Sequence, residues 1–291
     1  MGADFVVDAS PVGPGIGDDL EVRTTGRRTF HHHDFDAGTL AAARTGRSVS
    51  VCLPARDEQA TVGAIVTSVR RALVADAGGV DLVDEVVVVD DGSVDDTAAV
   101  AEAAGARVIA AGPAGGGKGQ ALQVAVAESR GDLLVFLDAD VENFRAHFVT
   151  GLLGPLFADD DVALVKGFYE RPVDGAASGG GRVTELVARP VIDLLFPRLA
   201  GVRQPLAGES AAPRSVLEKT GLDPDYGIEI GLLVDVADRF GVETIAQVDL
   251  GVRIHRNRPL AELRHEATDV LRAALSRTSA LPLGADESRY R

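Results

Sequence analysis

Apolar residues in this chain come in short strand-like runs separated by segments with helical spacing. The alternation begins at Ser48. Val49, Val51 and Leu53 make a strand that ends at Pro54, and Ala55-Arg56-Asp57-Glu58 forms the turn after it. Val62, Ile65, Val66 and Val69 then recur at i, i+3, i+4 and i+7, one face of a helix. Residues 85–90 are a second strand, apolar almost without a break, as a strand covered on both faces must be. Asp91-Gly92-Ser93 turns the chain into a helix over 95–104 that Gly105 closes. A strand at 107–110, a helix at 118–129 and a strand at 132–137 follow. The series predicts an α/β fold with a mostly parallel sheet and right-handed crossovers. Beyond it the pattern gives a strand at 162–169, helices at 184–199 and 227–240, a strand at 245–254 and a last helix at 262–276.

Residues 1–46 are rich in Gly, Asp and Arg and show no period apart from a helix-like piece at 38–45. They read as an N-terminal arm. One domain is expected over 47–276, with a first half at 47–145 and a second at 146–276, and a loose tail over 277–291. His31-His32-His33 lies in the arm and reads as a solvated turn.

Composition narrows the function classes. The 29 basic and 44 acidic residues give a net charge of −15, which argues against nucleic acid or an anionic membrane as partner. Any anionic ligand must therefore meet a local basic cluster. The one cysteine, Cys52, lies inside the first strand, so internal disulfides and a cysteine metal site are excluded. No apolar run reaches the roughly 18 residues of a membrane span, and no signal-peptide core stands at the N-terminus; a cytoplasmic protein is expected. The absence of Trp argues against a stacking platform for single strands or sugars.

The chemistry concentrates at strand ends. Leu133 to Leu137 runs into Asp138-Ala139-Asp140, whose carboxylates, two apart on an extended chain, point the same way. Two hard oxygen ligands at the carboxyl end of a buried strand suit a divalent ion holding a diphosphate. Asp90 and Asp91 leave the second strand at the same edge, where acids accept hydrogen bonds from a base or ribose. Gly112 to Gly119 nearly spells the nucleotide P-loop, but Gly119 stands where that loop needs Ser or Thr. What remains is a glycine loop with Lys118 at a helix start, an anion cradle. Gly179-Gly180-Gly181-Arg182-Val183-Thr184 opens a second helix and suits a further phosphate or carboxylate. Arg253, His255 and Asn257 alternate along the last strand, where a neutral imidazole can join the aspartates as a metal ligand.

Together these residues resemble a known group. Pro54-Ala55-x-x-Glu58, Asp90-Asp91-Gly92-Ser93, Gly117-Lys118-Gly119 and Asp138-Ala139-Asp140 look like nucleotide-sugar glycosyltransferases of the A-type fold. In the second half Val165-Lys166-x-Phe168-Tyr169, Gly179 to Pro190, Gln204-Pro-Leu-x-Gly-Glu209, Tyr226-Gly-x-Glu229 and Ile245 to Pro259 resemble the glucosyl-3-phosphoglycerate synthases and the similar mannosyl enzymes. The resemblance implies retaining transfer of glucose from UDP-glucose to the 2-hydroxyl of 3-phosphoglycerate, assisted by Mg²⁺ or Mn²⁺, in a homodimer. It implies that Pro54, Ala55, Glu58, Asp90, Asp91, Lys118, Asp138 and Ala139 surround the nucleotide sugar. Asp140 and His255 would hold the metal, and Gly181, Arg182, Val183, Thr184 and Asn257 the acceptor. Glu229 and Arg253 would border the reacting sugar. The family carries Leu-Asn where this chain has Arg56-Asp57, so UDP-glucose against GDP-mannose stays open. A P-loop NTPase and a non-catalytic nucleotide-sugar binding module are the alternatives from other classes.

Overall fold

The computed structural model describes residues 28–112, 116–171, 181–254 and 263–278. Among the described residues eight strands form one sheet: β1 Thr29–His31, β2 Val49–Ala55, β3 Glu85–Asp90, β4 Arg107–Ala110, β5 Leu133–Phe136, β6 Leu164–Glu170, β7 Ser210–Pro213 and β8 Ile245–Val252. Their spatial order is β1-β8-β6-β7-β5-β2-β3-β4. All pairs are parallel except those of β7, which runs antiparallel between β5 and β6. The helices are α1 Ala37–Ala43, α2 Val62–Leu73, α3 Thr97–Ala103, α4 Lys118–Glu128, α5 His147–Ala158, α6 Arg189–Leu195, α7 Arg214–Leu217, α8 Ile228–Arg239 and α9 Leu263–Ser276.

The unbroken apolar strands are explained by cover on both faces. Val51, Leu53, Val86, Val88 and Val135 turn to one core with α2 and α5. Their neighbours Cys52, Val87, Val89, Leu134 and Phe136 turn to the other with α4 and α8. Alternate side chains of one strand thus enter opposite cores, so each needs an apolar residue at every position. Cys52 is fully buried, and desolvation pushes its thiol up to about 12.

Four elements lie outside the pattern read from the sequence: the one-turn helix α7, and three that each have a physical reason. Helix α5 is apolar on nearly every side and carries Gly151, Gly154 and Pro155, so it shows neither an amphipathic period nor good helix formers. Strand β7 is Ser-Ala-Ala-Pro, a composition with no strand preference, yet Ala211 and Ala212 are fully buried at the centre of the sheet. Strand β1 builds part of the expected arm into the sheet, pairing Thr29, Phe30 and His31 with Gln247, Val248 and Asp249.

Two expected elements are shorter than read. The helix over 184–199 is a wide π turn at Thr184–Ala188, then α6, then a break at Phe196. Pro190 has no N–H to give Leu186, and this missing hydrogen bond accounts for the widened turn. Strand β8 ends at Val252 rather than 254; the Arg253 N–H still donates to the Glu170 carbonyl at 3.0 Å, and the residue is 3% exposed. The histidine run is not simply solvated either. His32 stacks on His33 and, from the other side, on His147 of α5, with ring centroids 4.0 Å apart in both pairs.

Candidate active site

A cleft of about 740 Å³ opens at the carboxyl ends of β2, β3 and β5. Its first wall is the end of β2 with Pro54, Ala55, Arg56 and Glu58, beside Asp91 from β3. The Asp91 N–H donates to the Ala55 carbonyl at 2.9 Å, which ties the two strand ends together. The Asp91 carboxylate is buried, takes the Gly117 N–H at 3.1 Å and faces the Arg56 guanidinium at 3.8 Å. Its Oδ1 is buried without a hydrogen-bond partner. Asp57 adopts a left-handed φ of 57° and accepts the Val94 N–H at 2.8 Å, so the departure at 56–57 is locked to the next loop.

Asp90 does not line this cleft. Its carboxylate folds back on the Ser93 N–H at 3.3 Å as a turn cap. Alternation explains the difference, since consecutive residues leave a strand on opposite faces.

The floor is Asp138-Ala139-Asp140, held by the Thr61 hydroxyl, which donates to the Ala139 carbonyl at 2.6 Å. Asp138 is fully engaged. Lys118 Nζ meets its Oδ1 at 2.7 Å, and Arg253 meets its Oδ2 at 2.9 Å. Burial alone would raise the Asp138 pKa, but Lys118 and then Arg253 outweigh it and hold this acid far below the usual carboxylate range. Asp140 gives Oδ1 to Arg253 at 2.6 Å, and among the described residues its second oxygen accepts no hydrogen bond.

Lys118 also meets Glu229 of α8 at 2.6 Å. Burial works against its charge, but the two carboxylates raise its pKa well above the ordinary value. The start of α4 is closed. The Gln120 N–H donates to the Pro224 carbonyl at 2.8 Å, and a Cβ on Gly119 would overlap Asp223 and Pro224. That packing accounts for the glycine in place of the P-loop hydroxyl. Gly208 plays the same part on the floor, where a Cβ would collide with Asp138 and Lys118.

Arg253 is the hub. Its Nη1 donates to the Tyr169 hydroxyl at 2.7 Å, and that hydroxyl donates to Glu209 Oε2 at 2.6 Å. The Arg253 Nε lies 3.4 Å from Glu209 Oε1, too loose for a hydrogen bond, and both atoms are otherwise unpartnered. Glu209 is fully buried, and that burial raises its pKa despite Arg253; Tyr169 is pushed up to about 12 for the same reason. Lys166, 2% exposed, donates to the Ala207 carbonyl, and desolvation brings it down to about 8. Tyr169, Gly208 and Glu209 entered the sequence reading only as part of the family resemblance, without a site role, and Arg171 did not enter it. Burial of a charged pair next to paired aspartates shows only in three dimensions.

The far wall is Gly181, Arg182, Val183 and Thr184 at the wide turn before α6. Gly181 has a φ of 86°, and its carbonyl accepts the Glu185 N–H at 2.9 Å to start the helical run. Helix α9 closes this side with His265, Glu266 and Asp269. The structure thus gathers Pro54, Ala55, Glu58, Asp91, Lys118 and the Asp138–Asp140 floor with Gly181–Thr184, Glu229 and Arg253. His255 and Asn257 lie outside the described residues.

The donors fit a hard divalent ion. Asp140 offers an open carboxylate oxygen into the cleft, whereas both oxygens of Asp138 are taken by cations. Ile254, next to His255 in sequence, is tied to the loop after Asp140. Its carbonyl accepts the Glu142 N–H at 2.9 Å, and its N–H donates to Asn143 Oδ1 at 2.8 Å.

The model for Glycosyl transferase family 2 matches residues 50–189. The glucosyl-3-phosphoglycerate synthase of Mycolicibacterium paratuberculosis is 48% identical over 263 residues, covering 86% of this chain and 78% of that protein. That of Mycolicibacterium smegmatis is 50% identical over 259 residues, covering 86% and 84%. The crystal structure of the Mycobacterium tuberculosis synthase with phosphoglyceric acid superposes with a TM-score of 0.79 at 44% identity, covering 87% of this chain and 88% of that one. The same enzyme with Mn²⁺, UDP-glucose and phosphoglyceric acid gives 0.78 at 44% identity, covering 86% and 87%. With an A-type glycosyltransferase sheet and relatives this close over most of its length, the chain belongs to the glucosyl-3-phosphoglycerate synthase family.

Proposed function

We propose that this protein moves glucose from UDP-glucose to the 2-hydroxyl of 3-phosphoglycerate, with retention at the anomeric carbon, and releases UDP. The observation that carries the reading is one cleft with the aspartate floor at one end and the Arg182–Thr184 turn at the other. A nucleotide diphosphate needs the first and a phosphorylated acceptor the second. We assign the nucleotide sugar to the half at 47–145 and the acceptor to the half at 146–276.

Asp140, with His255, would hold Mg²⁺ or Mn²⁺. When bound, the ion supplies Lewis-acid stabilisation of the departing diphosphate. Arg253 sets the orientation of both aspartates and keeps a buried cation beside the leaving group. Glu229 is engaged by Lys118 and serves as a positioned charge beside the sugar rather than as a nucleophile. The acceptor hydroxyl attacks the face that the diphosphate leaves. The bond from its oxygen to the anomeric carbon forms as the bond to diphosphate breaks, and its proton passes to a diphosphate oxygen. Positioning and charge then supply the rate enhancement.

A second reading, mannose from GDP-mannose, is favoured by Arg56, which stands beside Asp91 where the base would lie. A homodimer in the cytoplasm completes the proposal. Leu186 and Leu194, 72% and 75% exposed beside α9, give a second copy an apolar face, and light scattering on the eluted protein reads the mass.

The test is incubation with phosphoglycerate, Mg²⁺ and either UDP-glucose or GDP-mannose. Mass spectrometry is expected to find the glucoside, and UDP release to need the acceptor. Asp140→Ala should lower turnover by about 10³-fold while leaving the fold intact. Absence of acceptor-dependent UDP release would overturn the reading, and a trapped covalent sugar on Glu229 would overturn the front-face attack.

A further inference from the structure

Arg171, the first residue after β6, lines the cleft between the Arg253 hub and the Gly181–Thr184 turn. Its guanidinium is fixed in place. The carbon at its centre lies 4.9 Å from the centroid of the Tyr169 ring, and Nη2 donates to the Tyr169 hydroxyl at 2.9 Å. The same hydroxyl receives Arg253 Nη1, so Arg171 is one atom removed from the hub.

Among the described residues, two of its nitrogens have nothing to hold. Nε is buried and makes no hydrogen bond, and among the described residues Nη1 makes none either. A buried donor left unpaired costs about 1–3 kcal/mol, so a fixed guanidinium in this state calls for an anion. Nη1 points to where the acceptor is expected. It stands 3.6 Å from the place of a Cβ on Gly181, and the Thr184 hydroxyl stands 3.7 Å from the same place.

The other cations of the cleft floor are engaged. Lys118 serves Asp138 and Glu229, and Arg253 serves Asp138, Asp140 and Glu209. The acceptor of the proposed reaction carries its phosphate at one end and its carboxylate at the other, with the attacking hydroxyl between. The carboxylate is on the carbon next to that hydroxyl. Whatever binds it must lie beside the reacting centre and within a short carbon chain of the phosphate turn, and Arg171 borders both.

We propose that Arg171 is the carboxylate-binding residue of the acceptor subsite, its open guanidinium edge gripping the acid beside the attacking hydroxyl. The inference rests on the phosphoglycerate reading above. A planar guanidinium held against Tyr169 aims its remaining N–H groups in fixed directions at a carboxylate, which an ammonium cannot reproduce.

Calorimetric titration of the full chain with UDP and Mg²⁺ present tests it, using 3-phosphoglycerate and glycerol 3-phosphate, which lacks the carboxylate. Arg171→Met is expected to weaken phosphoglycerate binding about 30-fold and glycerol phosphate binding less than threefold. Arg171→Lys should recover part of the loss, and in turnover the KM for the acceptor should rise while that for UDP-glucose stays put. Arg182→Ala, by contrast, should weaken both ligands alike. Equal losses for both ligands in Arg171→Met, or no loss in either Arg171 variant, overturn the assignment while the functional reading stands. Failure of the unaltered protein to bind phosphoglycerate overturns both.

Discussion

The two ends of the cleft are built on opposite electrostatic plans. At the aspartate floor, Lys118, Asp138, Glu229, Arg253 and Glu209 are already paired with one another. At the Gly181 turn, Arg171 holds donors that no described residue takes up. The floor is a rigid frame, whose charges hold each other in position and leave one open oxygen on Asp140. The turn is a receptor. A cleft that must place a reactive sugar and admit a mobile dianion gains from this division, because preorganisation matters most where charge develops.

The comparison breaks first at Arg253. It is 3% exposed and lies among three carboxylates, so Arg253→Met strands buried negative charge. A loss of about 3–5 kcal/mol in unfolding free energy is expected in urea, together with loss of turnover. Milder damage to the same frame sharpens the point. In Gly208→Ala the new Cβ displaces the Asp138–Lys118 pair but reaches only side-chain ends, so folding should survive. Turnover is expected to fall about 10–100-fold with the acceptor KM nearly unchanged, read from UDP release. A raised acceptor KM instead would mean that frame and receptor are not separable.

The smallest effect lies away from the cleft. Burial first, then His147, His33 and His31, bring His32 down to about 4, against a weaker opposing pull from Asp249. A base with a lowered folded pKa leaves stability intact above about 6.5, and that stability is lost as pH falls toward 4. Discounted for partial exposure, the cost is about 1 kcal/mol, or roughly 2–4 °C in midpoint. His32→Gln should flatten the decline of the thermal midpoint between pH 6.5 and 4, and an unchanged slope would place the acid sensitivity elsewhere.

Much of the first half was legible from residue pattern alone, and for one reason. Strands with both faces covered must be apolar throughout, so Glu85–Asp90 and Leu133–Phe136 read off directly, and the carboxylates after them, Asp91 and Asp138 with Asp140, announced the ligand edge. The second half hid its structure because close packing there relies on small residues. Ala211 and Ala212 fill the middle of the sheet without a strand signature, and Gly154 lets the Phe35 ring lie flat on α5. Of the site, the acids, Lys118 and Arg253 were visible, but the buried groups that hold Arg253 were not assigned a part. Pairing of Arg253 with Glu209 and Tyr169 joins residues about 40 and 80 positions apart, a relation no local spacing encodes.

The ordering of strands has an outcome for how the molecule keeps company with others. Among the described residues the sheet finishes on one side with the three residues of β1 and on the other with the four of β4. Each rim therefore bares only a few unpaired amides and carbonyls, too short a template for a foreign strand to add itself. A catalyst with so long a central sheet escapes sticky borders by tapering at both ends.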